Sequence, residues 1–207
     1  MQTGPLAAPT QPSRVDRSFT FIDLCGFTDF ADSEGDVAAV EQVRCLRQVV
    51  REVTPLFGVR VEKWLGDGVM IVGVDSEPLV AAVVAIEQRA HFTCTLPLRA
   101  GIASGKVLLV DGDDYIGKAV NVAARLCDFA SSGQVLAAAE GLHLPEWVEA
   151  VQRSHVQLRG LGEAVEVVEL RVGENSPPLH DVPDRPGWWL AALLDGLTRP
   201  VRARRGS

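Results

Sequence analysis

Residues 60–73 read Arg60-Val61-Glu62-Lys63-Trp64-Leu65-Gly66-Asp67-Gly68-Val69-Met70-Ile71-Val72-Gly73. Two runs of β-formers, residues 59–64 and 69–72, flank Leu65-Gly66-Asp67-Gly68, so the stretch reads as a strand, a Gly/Asp turn and a second strand. Asp-Gly is ordinary turn chemistry, and alone it makes Asp67 a structural residue. A second carboxylate changes its weight. Asp23 ends the apolar run Phe19-Thr20-Phe21-Ile22 and is followed by Leu24-Cys25-Gly26-Phe27-Thr28. A strand that ends in Asp, then a glycine turn opening a helix at Phe27 and Thr28, sets hard carboxylate oxygen beside free helix N–H groups. That combination suits a divalent cation next to a phosphate.

Upstream of the hairpin, residues 18–23 read as the first strand. Residues 36–53 then place Val37, Val40, Val43, Leu46, Val49 and Val53 at helical spacing, ended by Thr54-Pro55 and Gly58. Downstream, residues 77–90 repeat the pattern through Val80, Val83, Val84 and Ile86. Residues 98–104 and 106–110 look like strands broken at Gly105, residues 117–129 like a helix and residues 134–137 like a strand. A helix is expected near residues 145–152, with strands at 156–158 and 165–171 around the turn Arg159-Gly160-Leu161-Gly162. The order β-α-β-β-α-β with appended elements is a split βαβ, ferredoxin-like α+β sandwich. It implies a largely antiparallel sheet with helices against a single face.

A chain of 207 residues has room for one domain of about 150 residues plus tails. Residues 1–17 read as a flexible leader, 18–172 as the domain, and 173–207 as a linker and tail. In the tail Leu190, Leu193, Leu194 and Leu197 share one helical face ahead of four arginines. That face suits an anionic membrane surface, a partner groove, or folding back onto its own domain or dimer mate. Hydrophobic content of 47% with 23% charged residues is that of a soluble globular chain. The longest apolar run, residues 79–86, is too short to span a bilayer, and the leader lacks a signal-peptide core; a cytoplasmic protein is expected. Cys25, Cys45, Cys94 and Cys127 show no metal-like pairing and read as reduced thiols. A net charge of −7 argues against duplex nucleic acid but leaves a nucleotide open, which needs only a locally positive pocket.

Three blocks together carry a resemblance: Phe21-Ile22-Asp23-Leu24-Cys25-Gly26-Phe27-Thr28; Lys63-Trp64-Leu65-Gly66-Asp67-Gly68; and Asp114-Tyr115-Ile116-Gly117 through Asn121 to Arg125. In this order and with these internal spacings, residues 17–172 resemble the class III nucleotidyl (adenylate) cyclase catalytic domain. The resemblance implies attack of a ribose 3′-hydroxyl on its own α-phosphate with loss of pyrophosphate. It assigns two divalent cations (Mg²⁺ or Mn²⁺) to Asp23 and Asp67, ribose orientation to Asn121, and the developing phosphoryl charge to Arg125. Asn121 and Arg125 lie four apart on the expected helix, hence on one face. An always-charged planar guanidinium suits phosphate better than a lysine does.

By the same resemblance, base selection falls to Lys63 and Asp114. Adenine offers an acceptor at N1 and a donor at N6, which a donor lysine and an acceptor aspartate complement; guanine presents the opposite pattern. ATP is therefore the expected substrate, with Phe27 and Thr28 beside its phosphates. A further phosphate-binding cation of the family has Arg159 as its nearest candidate. The family builds each site between two domains, so a chain holding both residue sets implies a homodimer with two shared sites. The alternatives are a non-catalytic nucleotide-binding or heterodimerising module, and another palm-like phosphotransferase. Leu65-Gly66-Asp67-Gly68 in place of a Gly-Gly-acidic hairpin counts against the last.

Overall fold

A computed structural model describes residues 13–111 and 114–173, and every structural statement below concerns these. In chain order the elements are β1 (Ser13–Leu24), α1 (Phe27–Glu34), α2 (Asp36–Val53), a 3-10 turn (Thr54–Phe57), β2 (Arg60–Leu65), β3 (Gly68–Gly73) and α3 (Ser76–Thr93). There follow β4 (Leu98–Val110), β5 (Asp114–Ile116), α4 (Lys118–Phe129), β6 (Val135–Ala138), β7 (Val148–Val156) and β8 (Val165–Val172). The sheet order is β2-β3-β1-β4-β6-β8-β7, with β5 paired to the far end of β4. All pairings are antiparallel except β4 with β6. The α+β sandwich with a largely antiparallel sheet is the expected class.

Strand alternation decides where the helices go. On β3, Val69 and Ile71 join a core under α2 and α3, whereas Met70 and Val72 join a second core under α4. The expectation of helices on a single face is corrected: they cover both. Every residue of β3 is buried, as a strand packed on two sides must be. α3 is apolar nearly all round, which suits a helix lying between the sheet and α2. α4 lies close on β4 because Gly101 has no side chain. A Cβ there would fall 2.2 Å from the Cys127 nitrogen and 2.3 Å from the Ala123 oxygen.

Other expectations are corrected too. Residues 145–152 are not a helix: from Val148 the chain is the edge strand β7, paired with β8 from Val148 opposite Val172 to Val156 opposite Val165, with a bulge between Ala150 and Gln152. Pairing with the largely buried β8 decides the conformation of this mostly exposed segment. β4 runs unbroken through Gly105, because β1 extends back to Ser13 and pairs along its whole length. β1 thus enters the segment expected as a leader. Of the four cysteines, Cys25 and Cys127 are thiols, but Cys45 and Cys94 form a disulfide. Folding brings α2 and the end of α3 within a Cα separation of 5.8 Å, inside the range a bridge requires, and no sequence spacing announces that. No helix among the described residues is long and apolar enough to cross a membrane. The apolar face and arginines expected in the tail lie outside the described residues.

Candidate functional site

Asp23 stands at the penultimate position of β1, where its register partners are Gly68 on β3 and Arg99 on β4. Gly68 follows Asp67 directly, so the hairpin register delivers the second carboxylate to the first. The approach is tight: a Cβ at Gly68 would lie 2.9 Å from the Ile22 carbonyl oxygen and 3.3 Å from Asp23 Oδ1. Gly66, at φ +69°, takes the left-handed conformation that turns the chain between the strands. Burial raises the pKa of Asp67 above the ordinary carboxylate value, and the Asp23 charge adds to the rise. Two half-buried carboxylates that repel each other are a hard-oxygen donor set that fits a divalent cation. Among the described residues no group of three or more His, Cys, Asp or Glu side chains could hold a metal, so further ligands would be phosphate oxygens, backbone or water.

Arg99 was not singled out in the sequence. Its Nη2 and Nε donate to Asp23 Oδ2 at 2.7 and 3.2 Å, and its Nη1 donates to the Asp128 carbonyl oxygen at 3.2 Å. The hydrogen bond to Asp23 raises the Arg99 pKa further. A signal was there: Arg99 is the one charged residue in Leu98-Arg99-Ala100-Gly101-Ile102-Ala103-Ser104, a strand otherwise of small and apolar residues. Arg159 sits instead in the β7–β8 connection, at the opposite edge of the sheet from the hairpin.

Lys63 and Asp114 meet in an ion pair between half-exposed side chains. Their strand registers alone would keep them apart. Lys63 pairs with Met70, which pairs with Phe21, whereas Asp114 pairs with Val110, beyond the level of Ser13. Nine residues of extended strand separate those levels, roughly 30 Å. The β4–β5 arm therefore folds back over the α4 face. Tyr115 packs edge-on against Phe19 with ring centroids 5.2 Å apart, and Gly117 lies against Val107, where a Cβ would meet Cγ1 at 2.8 Å.

Gly26 turns the chain from β1 into α1, whose first residues are Phe27 and Thr28. Phe27 packs against the α2–α3 core and Thr28 is exposed. Asn121 and Arg125 are both exposed on α4, and Arg125 Nη1 reaches Asp128 Oδ2 at 3.2 Å. The chain thus assembles Asp23, Asp67 and Arg99 in one group and Lys63 with Asp114 in another, while Asn121 and Arg125 point outward. A polar cleft of about 440 Å³ lined by Glu87, Gln134, Glu169 and Arg171 among others contains none of these residues.

The fold matches solved cyclase structures over most of their length. The adenylyl cyclase CyaB from P. aeruginosa superposes with a TM-score of 0.69 at 19% identity, covering 81% of this chain and 100% of that one. Among curated proteins, a pH-sensitive adenylate cyclase from Mycobacterium tuberculosis is 35% identical over 125 residues, 57% of this chain and 30% of that protein. The domain is a class III nucleotidyl cyclase catalytic domain. The guanylyl cyclase Cya2 superposes on this cyclase domain as well, with a TM-score of 0.64 at 19% identity over 79% of this chain and 96% of that one, so the fold does not choose a base. An uncharacterized protein of Mycobacterium tuberculosis is 36% identical over 152 residues, 72% of this chain. This chain spans 40% of the length of that relative. No family model matches the sequence.

Proposed function

We propose that the domain is an adenylate cyclase that converts ATP to 3′,5′-cyclic AMP and pyrophosphate, working as a homodimer with two shared sites. The observation that carries this reading is the meeting of Lys63 with Asp114, a donor and an acceptor held together at the position where an adenine edge would be read. Asp23 and Asp67 would hold the divalent cations, which when bound favour the 3′-alkoxide and neutralise the phosphates. Arg99, held at Asp23, would set a fixed positive charge beside the triphosphate. Arg125 and Asn121, supplied by the second chain, would bind the α-phosphoryl oxygens and orient the ribose. α1 opens beside the carboxylates and presents the Phe27 and Thr28 backbone N–H groups to phosphate.

Incubation of the purified protein with Mn²⁺ and either ATP or GTP, with identification of the product, tests the reading. Cyclic AMP from ATP and little product from GTP is expected. Lys63→Glu and Asp114→Cys should each reduce that preference, since losing a hydrogen-bonding partner of the bound base costs on the order of 1–3 kcal/mol. Unchanged discrimination in both variants would refute the base assignment. No cyclic nucleotide from either substrate would instead favour a nucleotide-binding module without turnover.

A further inference from the structure

The disulfide between Cys45 and Cys94 joins α2 to the residue that caps α3. Residues 94–97, which follow, have no regular secondary structure and depend on a few specific contacts. The Thr95 and Leu96 N–H groups both donate to Gln42 Oε1, at 3.1 and 3.3 Å, and Gln42 stands on α2 one turn before Cys45. The Pro97 oxygen accepts the Cys25 N–H at 2.8 Å, and the Leu98 oxygen accepts the Gly133 N–H at 2.8 Å. The next residue is Arg99, which holds Asp23. On the other side of the bridge, α2 leads back through α1 to Thr28, Phe27 and the end of β1. The bridge therefore fastens two segments that both end at the metal-site carboxylate.

We propose that Cys45–Cys94 is a redox-sensitive clamp on the divalent-cation site: the oxidised chain holds Asp23 and Arg99 in register, and reduction loosens residues 94–97 and weakens cation binding. The proposal rests on the cyclase reading for the meaning of that site and names a regulation of it. Both cysteines are half-buried, with exposed Arg44, Thr93 and Thr95 next to them, so a small dithiol can reach the bridge. One thiolate of the dithiol attacks a bridge sulfur and expels the other cysteine as thiolate. The second thiolate then attacks the mixed disulfide, releasing the remaining cysteine thiolate and leaving the reductant as a cyclic disulfide. Two electrons pass to the bridge, and the two cysteine thiolates take up two protons. Cys127 is a poor exchange partner: it is buried, and burial raises its thiol to about 12 and leaves it protonated at neutral pH.

The test uses the full chain, oxidised in air or reduced with dithiothreitol and desalted under nitrogen. Peptide mapping without reductant should recover a Cys45–Cys94 linked peptide from the oxidised protein. Reduction should lower Tm by on the order of 5–10 °C. It should also weaken Mn²⁺ binding, read by electron paramagnetic resonance, about fivefold or more, the lower end of ordinary coupling between linked sites. Reoxidation should restore both. The double variant Cys45→Ser/Cys94→Ser should match the reduced protein and ignore dithiothreitol; should it fail to fold, the reduced wild type supplies the same comparison. Absence of the linked peptide, equal Mn²⁺ affinity in the two states, or a double variant that still responds would overturn the clamp. Failure of the cyclase reading is seen separately, as absence of cyclic nucleotide from the oxidised protein.

Discussion

Asp67 is a carboxylate kept where its charge works against the fold. Its pKa in the folded chain lies above the ordinary value of 3.8, first because of burial and also because of Asp23. The folded state therefore holds the Asp67 proton more tightly than the unfolded chain does. That contribution favours folding at low pH and is lost as pH rises through the raised pKa, so at neutral pH ionised Asp67 is a net cost. Asp67→Asn should accordingly raise Tm of the metal-free protein slightly. The same change should abolish the further rise that millimolar Mn²⁺ gives the wild type, because a cation bound only to the folded state stabilises it by mass action. Calorimetry with and without Mn²⁺ reads both effects. An Asn variant that is less stable, or that Mn²⁺ still stabilises, would remove Asp67 from the cation site.

At the scale of elements, α4 matters most, because it carries Asn121 and Arg125 and rests on a glycine. Gly101→Ala would put a methyl group on the Cys127 nitrogen and the Ala123 oxygen, backbone atoms that cannot turn aside. The helix must move outward, with the cost of overpacking, about 1–3 kcal/mol. Urea unfolding should show that loss, and any activity should fall with it; a variant as stable as wild type would mean that α4 is not seated as described. The pattern behind this arrangement was partly legible in the residues. Hairpin, α2, α3 and α4 followed from turn chemistry and helical spacing, and each lies within a few residues of its expected bounds. Coverage of both sheet faces was written in Val69-Met70-Ile71-Val72, an unbroken apolar run where a one-sided strand would alternate. That run served only to mark a strand, and its second implication went unused. β7 was not legible in the same way. Its residues are nearly all exposed, and only pairing with β8 makes them a strand. The Asp23–Arg99 pair and the Cys45–Cys94 bridge also arise from long-range register, which local periodicity does not carry.

At the scale of the whole molecule, one chain gathers Asp23 and Asp67 at the hairpin end and turns Asn121 and Arg125 outward on α4. If those two serve the carboxylates of a second copy, each site of a two-fold dimer takes one set of residues from each chain. Asp23→Ala then removes the cation ligand from both sites of a homodimer, and Arg125→Ala removes the phosphoryl-binding guanidinium from both. Each variant alone should retain almost no cyclase activity. Co-expressed, they form heterodimers in which one site carries both lesions and the other carries neither. That intact site should give up to half the wild-type rate per heterodimer. Random pairing makes about half of all dimers mixed, so the preparation as a whole should reach about a quarter of the wild-type rate. Asp23→Ala paired with Asp67→Ala is the control: both lesions fall in the same set, no intact site forms, and activity should stay at the level of the single variants. Distinct affinity tags on the two chains, with tandem purification, establish that mixed dimers are present. If tagged heterodimers of Asp23→Ala and Arg125→Ala are recovered and remain as inactive as their parents, the site is not shared between chains, and Arg125 must act within its own protomer or not at all.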